Sequence, residues 1–236
     1  MNYQQERMTD DVHYLVTLDE DDKVMTSWEM IGSMKMWGNL SYHIIPPSGK
    51  IGAINAGIKE FDQPWDILLL ASDDMIPVEK GWDATIISEM SEHYPDTDGV
   101  LFHNDGFKGK DLNTLVIMGR KYYERFGYIY HPDYQSLWCD NEFMEVADLL
   151  GKQTYFPKCI IRHQHPMWTG QEWDQLNRRD IDLYKPDEQT YLRRKANGFD
   201  LIVHPDSNIG QPKSHVSNAD GRPEPTNKRG RPRKKV

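Results

Sequence analysis

The sequence predicts an α/β fold in which a mixed, mostly parallel sheet is flanked by helices. Short apolar runs alternate with longer amphipathic stretches between residues 12 and 205, without an internal repeat of the solenoid type. The clearest run, WDILLLA at residues 65–71, is typical of a strand buried on both faces of a parallel sheet. It ends abruptly in Ser72, Asp73 and Asp74, and ligands of open α/β sheets bind at such carboxyl ends of strands.

The first half of the chain predicts three strands and two helices. The run VHYLVTL forms the first strand and ends in an acidic cluster at residues 19–22, where Asp22 is placed to cap a Met- and Trp-rich helix. Pro46 and Pro47 close the second strand. We expect strands at residues 12–18, 41–45 and 66–71, and helices at residues 23–36 and 50–59.

The second half continues the alternation. Asn104, Asp105 and Gly106 have the chemistry of a turn between two strands, and Gly151 ends an amphipathic helix. We expect strands at residues 99–103, 114–119 and 154–163, and helices at residues 81–93, 140–150, 171–184 and 187–197.

Composition predicts one folded domain, residues 1–207, and a basic tail, residues 208–236. The 236 residues carry a net charge of −9. From residue 211 onward eight basic residues face two acidic ones, giving +6, whereas residues 1–210 hold 20 basic and 35 acidic residues, giving −15. No apolar run is long enough to span a membrane and no secretory signal is present, which predicts a cytoplasmic protein. Two cysteines, Cys139 and Cys159, exclude a disulfide scaffold.

The adjacent carboxylates Asp73 and Asp74 suggest a cation site. Neighbouring residues on an extended segment point to opposite sides, so the pair can serve two partners, such as a sugar hydroxyl and a divalent ion. They could equally be solvated turn residues capping a helix that begins at Pro77. The acidic cluster at residues 19–22 favours the cation, since two such clusters at one sheet edge would repel each other without it.

Two further segments carry candidate chemistry. In an extended chain His163 and His165 would share one face and could bind a metal with Asp74, a donor set that favours Mn²⁺ somewhat over Mg²⁺. Asp140 and Glu142 start a predicted helix, where either could act as a general base or could simply stabilise the helix N-terminus.

Taken in their order along the chain, these motifs resemble those of a family 2 glycosyltransferase of the GT-A fold. The stretch LVTLDEDD at residues 15–22 is similar to the family's nucleoside-contacting cluster, with Asp19 and Asp21 as candidates. The segment GKIGAINAGI at residues 49–58 resembles its donor-binding stretch and includes Lys50 and Asn55. Ser72-Asp73-Asp74 resembles its DxD signature, which implies that Asp73 contacts the donor.

The resemblance also implies the roles of the remaining candidates. Asp74 would bind the divalent cation, Mn²⁺ or Mg²⁺, that bridges the diphosphate of a nucleotide-sugar, together with His163 or His165. Asp140, with Glu142 as second choice, would be the base of a direct displacement with inversion. Family members usually carry an additional strand and helix before the LVTLDEDD-like segment, whereas eleven residues precede Val12 here, so we expect a fold without the usual first strand and part of the nucleobase pocket.

The tail resembles an AT-hook. Arg-Gly-Arg-Pro within the basic run, at Arg229, Gly230, Arg231, Pro232 and Arg233, is narrow enough to enter an A·T minor groove. A generic basic tail with weak polyanion attraction is the alternative. The two parts together suggest glycosylation of a hydroxyl-bearing modified base in double-stranded DNA, as certain bacteriophage enzymes perform.

Three other functions stay open. A glycosyltransferase acting on a surface glycan, lipid or protein would share the body motifs, and a non-catalytic DNA-binding protein would keep only the tail's activity. A metal-dependent hydrolase using Asp74 with the histidines is the third, and it would release product without any nucleotide.

Overall fold

The computed structural model describes residues 3–9, 11–164 and 175–201. Its helices are α1 (Tyr3–Glu6), α2 (Trp28–Lys35), α3 (Gly49–Glu60), α4 (Trp82–His93), α5 (Arg120–Glu124), α6 (Cys139–Leu149) and α7 (Gln175–Ala196), followed by a 3₁₀ turn at Gly198–Asp200. Its strands are β1 (Tyr14–Asp19), β2 (Leu40–Ile45), β3 (Ile67–Leu69), β4 (Met75–Pro77), β5 (Val100–His103), β6 (Ile117–Gly119), β7 (Gln153–Phe156) and β8 (Ile161–His163).

These strands form three sheets rather than one. β1 and β2 pair in parallel, β4 and β8 pair antiparallel, and the largest sheet has the order β3-β6-β5-β7. The predicted mixed α/β class is confirmed. The prediction of a mostly parallel sheet is wrong for the described strands, because β6 lies between β3 and β5 and runs antiparallel to both. Apolar runs report burial and not strand direction, so this reversal left no signal in the sequence.

Two apolar clusters cover opposite faces of the four-stranded sheet, as the period of two in a strand requires. Val100 and the paired Met118 point toward α3, α5 and α6, whereas the next pair, Leu101 and Ile117, points toward α4. Strand β3 follows the same alternation but is only partly buried, since it pairs with β6 alone. Both faces of this run are covered, as expected, but its residues are half-buried rather than buried.

Prolines explain two other differences. Pro77 ends strand β4 instead of starting a helix, and the predicted strand over residues 154–163 divides into β7 and β8 around Pro157. Proline lacks the N–H that a continuous ladder would need there. Pro186, in contrast, lies inside α7, where two helices are predicted.

A different residue from the predicted one starts α2. Ser27 is the N-cap, and its hydroxyl accepts a hydrogen bond from the Met30 N–H. Asp22 caps the preceding turn instead, where its carboxylate accepts from the N–H groups of Val24 and Met25. Both residues suit this role chemically, so the sequence alone did not distinguish them.

We expect Asp98→Asn to lower the free energy of unfolding at neutral pH by about 2 kcal/mol and to weaken its acid dependence. Asp98 is buried and bonds to Arg125 and Lys152. Burial alone would raise the pKa of this carboxyl, but the hydrogen bonds from the two cations outweigh it and lower the pKa. The ionised form therefore stabilises the fold above the unfolded pKa of about 3.9, and this stability is lost as the pH falls through the lower, folded value.

Urea unfolding between pH 3 and 7 tests this prediction. Asp96→Asn is the control, because Asp96 bonds to Lys121 on the exposed surface. Equal losses in both variants, or an unchanged pH slope in Asp98→Asn, would show that the Asp98 cluster does not carry this stability.

Candidate functional site

The predicted acid and histidine of the cation site meet across the sheet formed by β4 and β8. Asp74 directly precedes β4, and His163 ends β8 opposite Met75. The His163 Nε2 lies 3.1 Å from Asp74 Oδ2, although the two residues are 89 positions apart. The backbone fixes this approach, because the Gln164 N–H donates to the Asp74 carbonyl at 2.7 Å. The Ser72 hydroxyl donates to the other carboxylate oxygen of Asp74.

Asp74 and His163 form a hydrogen bond or ion pair with each other. The same spacing is also compatible with two ligands of one divalent ion. Two ligands at about 2.1 Å from an octahedral ion, at right angles to each other, lie about 3.0 Å apart, close to the observed 3.1 Å. No group of three or more candidate ligands occurs within residues 3–9, 11–164 and 175–201. Mg²⁺ and Mn²⁺ in phosphate-binding sites commonly take one or two protein ligands and complete their shell with substrate phosphates and water. The second predicted histidine, His165, lies outside the described residues.

Tyr3 lies beside this pair and was not singled out from the sequence. Its hydroxyl donates to the Met75 carbonyl at 3.1 Å, and its ring packs edge-on against Trp82. Burial raises the pKa of Tyr3, and the nearby Asp74 carboxylate raises it further. Tyr3 is therefore a neutral hydrogen-bond donor that ties α1 to β4. Asp73 lies in the same turn as Asp74 and is exposed.

Two further predicted residues, Lys50 and Asp140, lie at the starts of α3 and α6. Burial raises the pKa of the Cys139 thiol, the Asp140 carboxylate raises it further, and Lys50 lowers it. Lys50, at the start of α3, and Asp140, at the start of α6, thus lie within electrostatic range of one side chain. Asp140 is half-buried, and one of its oxygens accepts the Asn141 N–H at 2.9 Å.

The residue before α6, Trp138, has a strained backbone conformation. Trp138, the residue before the helix, has φ 63° and ψ −10°, a left-handed conformation that bulky residues rarely adopt. Its carbonyl accepts the Glu142 N–H, and its ring packs against Tyr184 and Tyr191 of α7. Strained residues of this kind persist only where the surrounding structure holds them, and they occur preferentially at functional sites.

Glu142 was predicted to be an alternative base at the start of a helix. The structure gives its side chain a different role. It is buried and forms a bidentate ion pair with Arg194, with N–O distances of 2.8 to 3.0 Å. The Tyr134 hydroxyl also donates to it at 2.7 Å. Burial lowers the pKa of Arg194, but hydrogen bonds from the guanidinium to Glu142 and Asp200 raise it more, so the guanidinium stays charged. The geometry therefore favours Asp140 over Glu142 as the base.

Asn55 holds the backbone next to α3. Its amide NH₂ donates to the Tyr130 carbonyl at 2.7 Å, and its oxygen accepts the N–H groups of Ile129 and Tyr130. Both ends of the side-chain amide are thus bonded to residues 129–130. The donor contact that the resemblance implies for Asn55 stays a prediction, and the structure gives this residue a positioning role.

Asp19 lies at the same end of the β1–β2 pair as the start of α3. It pairs with Ile45, the last residue of β2, and α3 begins four residues later at Gly49. The helix packs tightly on β1, since a Cβ atom on Gly57 would lie 2.1 Å from the Thr17 hydroxyl. The Asp19 Oδ1 is buried and accepts no hydrogen bond from the described residues. Asp21 follows in an exposed turn.

The structure does not hydrogen-bond β1 to β3, so the two acidic clusters follow strands of different sheets. The expectation that both clusters share one edge of a single sheet is thus not met by the described strands. The five tail residues Arg229, Gly230, Arg231, Pro232 and Arg233 lie outside the described residues.

Among those that are described, no helix is both long and apolar enough to cross a membrane. The chain matches no protein-family model, no curated protein and no solved structure.

Proposed function

We propose that the chain is a metal-dependent glycosyltransferase of the GT-A type, which transfers a sugar from a nucleotide-diphosphate donor to an acceptor hydroxyl. The observation that carries the proposal is the 3.1 Å approach of Asp74 and His163 across β4 and β8. An aspartate and a histidine at this spacing suit Mn²⁺ or Mg²⁺ with the remaining positions open to diphosphate oxygens.

The reaction requires compensation of the charge on the leaving group. Breaking the bond between sugar and diphosphate leaves about two negative charges, which a bound divalent ion stabilises as a Lewis acid. Lys50 supplies a further positive charge at the start of α3. Asp19, Asp21 and Asp73 are assigned to hydroxyls of the donor, since each is an acceptor at the end of a strand or in the turn that follows.

Asp140 is assigned as the general base. Its carboxylate would accept the proton of the acceptor hydroxyl while that oxygen attacks the anomeric carbon and the bond to the diphosphate breaks. Direct displacement of this kind inverts the configuration at the anomeric carbon. Proton transfer to a positioned carboxylate contributes roughly 10²- to 10⁴-fold to such a rate.

The proposed acceptor is a hydroxymethylated base in double-stranded DNA. The motif Arg-Gly-Arg-Pro and the tail charge of +6 support this choice, because both suit a minor groove flanked by phosphates. The charge of −15 on residues 1–210 supports a second candidate, a surface glycan, lipid or protein acceptor, because an acidic body repels phosphate.

We expect the full chain with Mn²⁺ to hydrolyse at least one nucleotide-sugar slowly in the absence of an acceptor, and we expect Asp74→Asn to reduce this rate at least 100-fold. Removal of the carboxylate charge leaves His163 as the only ligand of the pair. A panel of nucleotide-sugars with product analysis by chromatography, together with Mn²⁺ titration calorimetry, measures both effects.

Asp62→Asn is the matched control, because Asp62 is an exposed aspartate whose carboxylate accepts a hydrogen bond from the side chain of the neighbouring Gln63. Absence of both donor binding and hydrolysis across the panel would overturn the glycosyltransferase proposal. Release of a product from sugar phosphates without any nucleotide would instead favour a metal-dependent hydrolase.

A further inference from the structure

Helix α2 exposes a strip of large apolar side chains. Val24, Trp28 and Met36 are 72%, 81% and 87% exposed. Val24 lies in the turn before the N-cap Ser27, whereas Trp28, Gly32 and the C-cap Met36 follow one another at intervals of four residues and share one face of α2; a Cβ atom on Gly32 would meet nothing within 4 Å. Met34, the buried residue of α2, lies on the other side. We call these four residues the α2 strip.

The strip is larger than scattered surface residues would produce. Its three side chains expose on the order of 500 Å² of mostly apolar surface, toward the upper end of the largest patch on a typical monomer. Trp37 extends it at 45% exposure and contacts Tyr14 of β1 edge-on. A patch of this size normally marks a contact surface.

Charge decides which occupant suits the strip. Between residues 19 and 36 five acidic residues face two basic ones, a net charge of −3. A second copy of the chain would bring the same negative surface against this one, within a dimer of two chains that each carry −9. Residues 211–236 of this chain carry +6. The acidic border of the strip is therefore complementary to the tail and repels another α2 strip.

Lysine and arginine side chains also suit the apolar part of the strip. Their aliphatic stems cover apolar surface while the charged heads reach outward, and guanidinium groups stack on indole rings. The nine residues between Leu201 and Gln211 span up to about 30 Å when extended, so the tail is not restricted to the surface nearest Leu201.

We propose that residues 211–236 dock on the α2 strip in the absence of nucleic acid, with their lysine and arginine heads at the carboxylates of residues 19–22 and Glu29. Duplex DNA and the strip then compete for the same cations, so DNA binding releases the tail. The docking does not depend on the glycosyltransferase proposal.

Carbodiimide cross-linking of the full chain tests the docking. This reagent joins carboxylates to lysines in direct contact, and mass spectrometry locates the links. We expect links from Lys228, Lys234 and Lys235 to concentrate on residues 19–22 and Glu29, and to fall at least fivefold in Trp28→Ala, at high salt and with excess A·T-rich duplex. Leu192→Ala is the control, because Leu192 is a half-exposed apolar residue on α7 outside the strip.

DNA affinity provides the second measurement. If the strip holds the tail in most molecules, the apparent affinity for duplex is reduced by the free fraction, and Trp28→Ala should bind duplex at least threefold more tightly than the wild type. Links spread evenly over the body, or unchanged in Trp28→Ala, would overturn the proposal. Links found only between isotopically labelled and unlabelled chains would also overturn it and would assign the strip to a second copy.

Discussion

Replacing Arg194 with methionine is expected to lower the free energy of unfolding by about 3–5 kcal/mol. The Arg194 side chain is 3% exposed, and its guanidinium makes three hydrogen bonds to the buried carboxylate of Glu142. Methionine fills a similar volume but leaves the buried side chain of Glu142 without its cation. The substitution also removes the bond from Arg194 to Asp200, which joins the end of α7 to the following turn.

Lys195→Ala is the matched control for this experiment. Lys195 is the neighbour of Arg194, and its ion pair with Glu145 lies on the surface, with the lysine side chain 49% exposed. Such pairs contribute about 1 kcal/mol or less. Urea unfolding followed by far-UV circular dichroism compares the variants. An Arg194→Met loss no larger than that of Lys195→Ala would show that the buried pair is not formed.

A double variant separates the ion pair from packing. Replacing Arg194 by methionine and Glu142 by leucine removes both charges, and we expect it to recover much of the stability lost in Arg194→Met alone, because apolar pairs of similar volume often replace buried ion pairs without loss. Tyr134 loses its acceptor in this variant, which limits the recovery. The difference in the free energy of unfolding between Arg194→Met and the double variant measures how much of the loss comes from leaving Glu142 without the cation that α7 supplies.

Local sequence signals predicted the regular elements well. Helix α3 is observed at Gly49–Glu60 where residues 50–59 were expected, and α4 at Trp82–His93 where residues 81–93 were expected. The first was predicted as a helix of small residues after Pro46 and Pro47, and the second from its apolar period. A shared site of Asp74 with His163 or His165 was also expected, because Asp74 follows one predicted strand and His163 ends another, but strand β4 and its pairing with β8 were not predicted.

The roles that could not be predicted belong to residues whose bonding partners lie far away in the sequence. Glu142 looked like an exposed helix-start carboxylate, and its burial depends on Arg194, 52 residues away. Asn55 looked like a donor contact, and its amide bonds to backbone about 75 residues away. Neither partner has a sequence signature. A Met- and Trp-rich helix was predicted over residues 23–36, and the exposure of Trp28 and Met36 follows from tertiary position, which the sequence did not indicate.

Asp140→Asn is expected to lower kcat for sugar transfer by roughly 10²- to 10⁴-fold. Asparagine keeps the size of the side chain and an oxygen that can accept the Asn141 N–H, but it cannot take the proton of an acceptor hydroxyl. Because Asp140 lies at the start of α6 and the Asp74–His163 pair lies on β4 and β8, Mn²⁺ affinity should stay unchanged. Initial rates on hydroxymethylated duplex, together with Mn²⁺ titration calorimetry, measure the two effects separately.

Asp140→Asn also removes one negative charge from α6. Asp148→Asn controls for this change, since Asp148 is an exposed aspartate at the other end of the same helix. Glu142→Gln completes the set. If Glu142 serves the fold, this variant should lose stability through its weakened bond to Arg194 while its folded fraction keeps a kcat near that of the wild type. A folded Glu142→Gln that loses turnover while Asp140→Asn retains it would reverse the two roles, and the buried ion pair would then hold the base itself.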